Sequence, residues 1–377
     1  MISYDLRNCW PSFDGQDDLL MEALGECLAR SSVASAKVDR HDHERVQLIA
    51  AAARCEPRHH VVVTNSGQSA LRVALAAICG DGSPIAVEEW THPGILRALL
   101  ELGAAPMAIR MDRQGMIPEE LAIAAESGIR RVLVQSRIHD PTGTSIDVGR
   151  RRAIADVIAS HGMLAIENDA FGFLQAADRS GLASLAPEAC IRTVGFSEWI
   201  SRAIGGGLIE FPPRLAARVA ERMQSSGAHA SGICVAALAE LAARGHFATF
   251  ADAKRREGIA RQCLARRVLN LAERVTRTPS WHLWLPAGDG SPGRMDALRA
   301  KGIEVSVASL FRLPGGHEPH ARVSLGGERD RDRLEAGLAE VAVLLGSDIG
   351  TCPIGLPNAA PKPVTDALAQ ISLRAQV

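Results

Sequence analysis

Thr64-Asn65-Ser66-Gly67-Gln68-Ser69-Ala70-Leu71 follows the β-branched run Val61-Val62-Val63 and opens an alanine-rich stretch of helical period. A buried strand turning into a helix through small residues exposes backbone N–H groups at the positive helix end. Ser66, Gly67 and Gln68 therefore suit a phosphate, and the alternative reading is plain helix capping. The same strand-then-turn pattern recurs at Ile85-Ala86-Val87, Val132-Leu133-Val134 and Leu164-Ala165-Ile166. Short apolar runs that alternate with helical segments predict an α/β fold with a mostly parallel central sheet. In such sheets ligands gather at the carboxyl ends of strands, so the residues just after each run are the candidate site.

Beyond this region, residues 213–275 have few breakers and read as long helices linking two domains. From Trp281 onward, strand-like pieces at 282–285, 303–307 and 321–325 surround helical ones at 295–301 and 329–345, which predicts a smaller α+β domain. The expected division is 1–44 as an N-terminal arm and part of the small domain, 45–255 as the large domain, 256–350 as the small domain, and 351–377 as a tail with one short helix.

The 377 residues, 47% hydrophobic and 23% charged, can bury a large core, and a formal net charge of −1 provides no field to attract nucleic acid or an anionic membrane. Neither partner is expected. The start lacks the basic and apolar regions of a secretory signal, so a cytoplasmic location is expected. Eight scattered cysteines form no C-x-x-C pair and predict free thiols rather than zinc or disulfides. His41-Asp42-His43-Glu44 and His317-Glu318-Pro319-His320 carry no zinc signature, and no metal is expected. Only Lys37, Lys254, Lys301 and Lys362 are lysines, against 38 arginines.

The order of motifs carries more than any one of them. After the 64–71 turn come Val87-Glu-Glu-Trp-Thr-His92-Pro-Gly94, Asp140-Pro141-Thr142-Gly143, Ile166-Glu-Asn-Asp169-Ala-Phe171, Thr193-Val-Gly195-Phe196-Ser197-Glu198 and Ala321-Arg322-Val323-Ser324. From about residue 5 to 345 this succession resembles the fold-type I, class I/II aminotransferases that use pyridoxal phosphate (PLP), most closely the aminotransferase-like domain of the MocR group of GntR regulators. The winged-helix domain of those regulators is expected to be absent.

The resemblance implies that Ser66, Gly67 and Gln68 form a phosphate cup, that Asp169 pairs with the cofactor's ring nitrogen, and that Arg322 grips a substrate carboxylate. An acidic helix cap and an exposed strand arginine are the plainer readings of the last two. The departures from the family pattern are numerous. Glu198 stands where the family has its Schiff-base lysine, Gly195 where it has a phosphate-binding hydroxyl, and Gly205 where it has a phosphate-binding arginine. Phe171 replaces a tyrosine, Asp140 an asparagine and His92 a stacking aromatic. The only tyrosine is Tyr4, so the tyrosine that the family supplies across its dimer is missing. PLP or pyridoxamine phosphate (PMP) is the implied cofactor, with binding expected to be weak or lost, partly because Asp140 near the ring oxygen would be a like-charge contact.

Three functions follow from these departures. The chain is expected to be a divergent or accessory non-transaminating member that acts on or senses a small amino-acid-like carboxylate, as a homodimer or as a heterodimer with an active paralogue. The alternatives are an enzyme that uses PLP or PMP adducts with Glu198 as general base and Asp169 beside it, or a ligand-sensing regulatory domain.

Overall fold

The computed structural model describes residues 3–30, 43–79, 82–175, 181–271, 279–287, 292–313 and 320–345. Its centre is a seven-stranded sheet. The strands are β1 (His60–Thr64), β2 (Pro84–Glu88), β3 (Ala105–Ile109), β4 (Arg131–Val134), β5 (Leu164–Asn168), β6 (Cys190–Gly195) and β7 (Gly207–Phe211). Their spatial order is β1-β7-β6-β5-β4-β2-β3. All neighbours run parallel except β7, which is antiparallel to both β1 and β6. The carboxyl ends of β2, β4, β5 and β6 thus open on one edge, together with the turn that leaves β1.

Side chains alternate between the two faces because the period of a strand is two. On one face Ile85, Leu133, Ile166, Ile191 and Ile209 pack under helix Gly67–Cys79 and helix Ala216–Ser226. On the other, Ala86, Val132, Ala165 and Cys190 meet helices Pro118–Glu126 and Val148–Ser160, while Val63, Val194 and Leu208 meet helices His43–Ala52, Gly232–Ala243 and His246–Val268. Burial on both faces explains why these strands read as continuous apolar runs.

Helix His246–Val268 leads into the small domain, whose three-stranded sheet has His320–Ser324 between His282–Pro286 and Ser306–Val307. The expected strand at 303–307 is split: Ile303–Glu304 pairs instead with Tyr4–Asp5, so the N-terminal arm is built into this domain. Arg261 ties the helix to the sheet by donating to the Leu325 carbonyl at 2.8 Å. No single described helix is long and apolar enough to cross a bilayer. Lys37, Lys362, the tail 351–377 and most of the two histidine-bearing stretches lie outside the described residues.

Candidate functional site

The turn after β1 is held by backbone contact. A Cβ on Gly67 would lie 2.7 Å from the Gly195 Cα, and one on Gly207 would lie 2.6 Å from the Ser66 backbone. The end of β6 and the start of β7 therefore press directly on the turn, and side chains are excluded at positions 67 and 207. The Ser66 hydroxyl accepts from the Ser69 amide at 3.1 Å and meets the Ser69 hydroxyl at 2.9 Å, so it caps helix Gly67–Cys79. Gln68 reaches Gly94, whose Cβ, if present, would fall 3.0 Å from the Gln68 Cδ.

Glu198 sits in the short helix Phe196–Trp199 that follows β6. Its Oε2 lies 3.4 Å from where a Cβ at position 195 would be, which aims the carboxyl at the turn. Burial raises its pKa above the ordinary glutamate value, opposed by its own backbone N–H and by Lys254 and Arg202. Lys254, wholly buried on helix His246–Val268, donates to the Glu198 carbonyl at 2.8 Å and the Ile200 carbonyl at 3.4 Å. Burial pushes its pKa down to about 7. Sequence alone places no lysine near position 198, yet this amine arrives from another element. The signal available was its rarity in an arginine-rich chain.

Asp140 and Arg322 meet across the two domains. Arg322 Nη2 donates to Asp140 Oδ2 at 3.1 Å, and Nε stands 2.9 Å from Oδ1. Arg322 also donates to the Arg7 carbonyl at 3.2 Å, which brings the N-terminal arm over the pair. Burial alone would raise the Asp140 pKa, but Arg322, His282, His92 and His139 outweigh it and hold the carboxyl below the ordinary value. His92 caps its own helix, its Nδ1 accepting from the Gly94 amide at 3.0 Å. Burial lowers the pKa of His92, and lowers that of His282 to about 4. Phe171 packs on the His282 ring at 5.8 Å. His282 was not picked out from sequence, where it reads only as one residue of an alternating strand.

The ends of the strands thus bring together Glu198, Asp140, Arg322, His92, Phe171 and the 66–68 turn. Asp169 has different neighbours. Its amide continues the β5 ladder by donating to the Thr193 carbonyl at 2.8 Å, and its carboxylate stands 3.5 Å from Arg192 and 3.9 Å from Arg137. By alternation Asp169 shares the face of Ala165 and Glu167. Asn168 continues the face of Ile166, beneath helix Gly67–Cys79, and accepts from the Thr193 hydroxyl at 3.1 Å. The last side chain of β5 on the face of the turn is therefore an amide.

Among the described residues no cluster of three or more His, Cys, Asp or Glu side chains could hold a metal ion.

The sequence model of the class I and II aminotransferases matches residues 39–197. The chain is similar to the uncharacterized HTH-type transcriptional regulator YdeF of Bacillus subtilis (strain 168), 26% identical over 294 residues that make up 76% of this chain and 63% of that protein. It is also similar to the HTH-type transcriptional regulator TauR of Rhodobacter capsulatus, 25% identical over 67% of this chain and 54% of that protein. The chain thus spans less than two thirds of the length of either relative. Among solved structures, LysN, an alpha-aminoadipate aminotransferase from Thermus thermophilus, superposes with a TM-score of 0.78 over 90% of this chain and 91% of that one at 18% identity. That likeness is one of fold.

Proposed function

We propose, for a chain that belongs to the class I and II aminotransferase family and has its fold-type I architecture, a non-transaminating role in which the fold binds a small amino-acid-like ligand as an accessory or sensing protein. The observation that carries this reading is the Glu198 carboxyl at the end of β6, aimed at the 66–68 turn. When bound, PLP supplies an electron sink for bonds to an amino acid's α-carbon, and the protein's part is to hold and tune it. The residues here are unsuited to that part.

A carboxyl group forms no Schiff base, and when ionised near the turn it repels a phosphate dianion. Gly195 offers no hydroxyl, and Gly205 no guanidinium. On the face of the turn the last β5 side chain is the Asn168 amide, which would give a protonated ring nitrogen no negative charge, while Asp169, the expected partner, lies on the opposite face. Arg322 is neutralised by Asp140 inside the protein, which leaves an incoming carboxylate to compete with a buried ion pair. Each departure weakens the same binding event. The longer sequence match to regulators than to aminotransferases supports ligand binding over turnover.

Titration with PLP, and separately with PMP, followed by borohydride and peptide mass mapping, tests the proposal. We expect no internal aldimine absorbance and no specific adduct. A stoichiometric adduct on Lys254, the buried amine beside position 198, would restore an enzymatic reading. We also propose a dimer, as homodimer or with an active paralogue, checked by light scattering on the purified chain.

A further inference from the structure

The face of the sheet opposite the turn carries a cavity of about 610 Å3, lined by Arg137, Asp169, Arg192, Phe173, Trp199 and Phe247 among others. Such a volume is within the range of small-molecule sites. We infer that it binds a free amino acid with an apolar side chain, the carboxylate on Arg137 and the ammonium group on Asp169.

Several charged groups of the cavity wall are already engaged within the protein. Glu167 accepts from the Ser136 hydroxyl and from the Leu182 and Ala183 amides at 3.0 and 3.1 Å. Glu210 accepts from the Glu56 amide at 2.7 Å and meets His59 at 3.1 Å. Arg192 donates to the Ala53 carbonyl at 2.7 Å and stands 2.8 Å from Glu210. Arg137 Nε and Asp169 Oδ1 lie 3.9 Å apart with no hydrogen-bond partner, on side chains only 10% and 4% exposed, while Arg137 also donates to the Gly172 carbonyl at 3.4 Å and the other Asp169 oxygen stands 3.5 Å from Arg192.

Buried polar atoms left without a hydrogen bond are costly, and native proteins satisfy them with water or a ligand. One donor cation and one acceptor anion side by side match the two charges of a zwitterion. A carboxylic acid alone would face Asp169 with like charge, and an amine alone would face Arg137 in the same way. The rest of the wall fixes the side chain. Trp199 stacks on Phe173 at 5.4 Å and packs edge-on to Phe247 at 5.0 Å, which presents an aromatic surface beside the charged pair.

Calorimetry on the full chain tests this with L-phenylalanine, 3-phenylpropionate and 2-phenylethylamine. We expect saturable binding of L-phenylalanine, with each analogue that lacks one charge weaker by about tenfold or more. Asp169→Asn and Arg137→Gln should each weaken L-phenylalanine by about tenfold or more. If either variant fails to fold, the analogue series on the unaltered chain decides. Equal binding of all three compounds, or no saturable binding of L-phenylalanine, leucine or methionine, overturns the inference and leaves a water-filled cavity. Binding lost in Arg322→Gln but kept in Asp169→Asn also overturns it, since the ligand then sits at the opposite edge.

Discussion

Glu198 and Lys254 are a buried acid and a buried base whose neutral forms the protein favours, and both make stability depend on pH. The pKa of Lys254 falls from 10.5 to about 7 on folding, so between those values the unfolded chain binds more protons. Its contribution is therefore present at high pH and lost as pH falls toward 7, with a slope of up to about 1.4 kcal/mol per pH unit. Lys254→Met should flatten urea-unfolding stability between pH 7.5 and 9.5, and an unchanged slope would count against a depressed amine. Glu198 has the opposite sign: its raised pKa makes it more favourable below the ordinary glutamate value and less so above its folded one. Glu198→Gln should raise the melting temperature at pH 8 by about 2 °C and have little effect at pH 4. At this scale the sequence was only half legible. The carboxylate at 198 was plain, but Asn168 and Asp169 are adjacent, and a single step along a strand decides which of them faces the turn. That step is set by the pairing of β5 with β6, which no local pattern records.

Among the elements, β1, β2, β4 and β5 were legible as short apolar runs, whereas β6 and β7, equally buried, were not, since Arg192 and Glu210 interrupt them. Strand β3 was not, since Pro106 and the exposed Ala108 interrupt its apolar character at the sheet's edge. The split of 303–307 was hidden too, because the partner of Ile303–Glu304 is the arm residue pair Tyr4–Asp5, about three hundred positions away in sequence and beyond any local signal. The turn illustrates a different limit. Three glycines are visible in sequence, but only contact shows which of them the fold needs. Gly67→Ala drives a methyl into the Gly195 backbone at 2.7 Å and should destabilise by about 2 kcal/mol. Gly195→Ala meets Glu198 at 3.4 Å and Gly67 at 3.5 Å, ordinary contacts, and should change stability by less than about 1 kcal/mol. Paired denaturation curves separate the two, and equal losses would contradict the close approach.

For the molecule as a whole, the Asp140–Arg322 pair is a clasp between domains, with both side chains 7% exposed. Neither partner announces the other in sequence, since they lie 182 positions apart and each had its own assignment there. Removing one member of a buried pair leaves the other charge desolvated and alone, so Asp140→Asn should lower stability by about 3 kcal/mol at pH 7. The pH dependence follows from the sign of the shift. Asp140 titrates below its ordinary value of 3.8 when folded, so its contribution is complete above that value and is lost only as pH falls below it. The gap between the unaltered chain and Asp140→Asn should therefore hold from pH 7 to about 5 and close under stronger acid. The same substitution frees Arg322, and acetate, without measurable effect on the unaltered chain, should then stabilise the variant by direct binding. Urea unfolding at several pH values, with and without acetate, checks both parts. A gap absent at pH 7 would remove the clasp, and a variant indifferent to acetate would show that Arg322 does not receive carboxylates once Asp140 is gone.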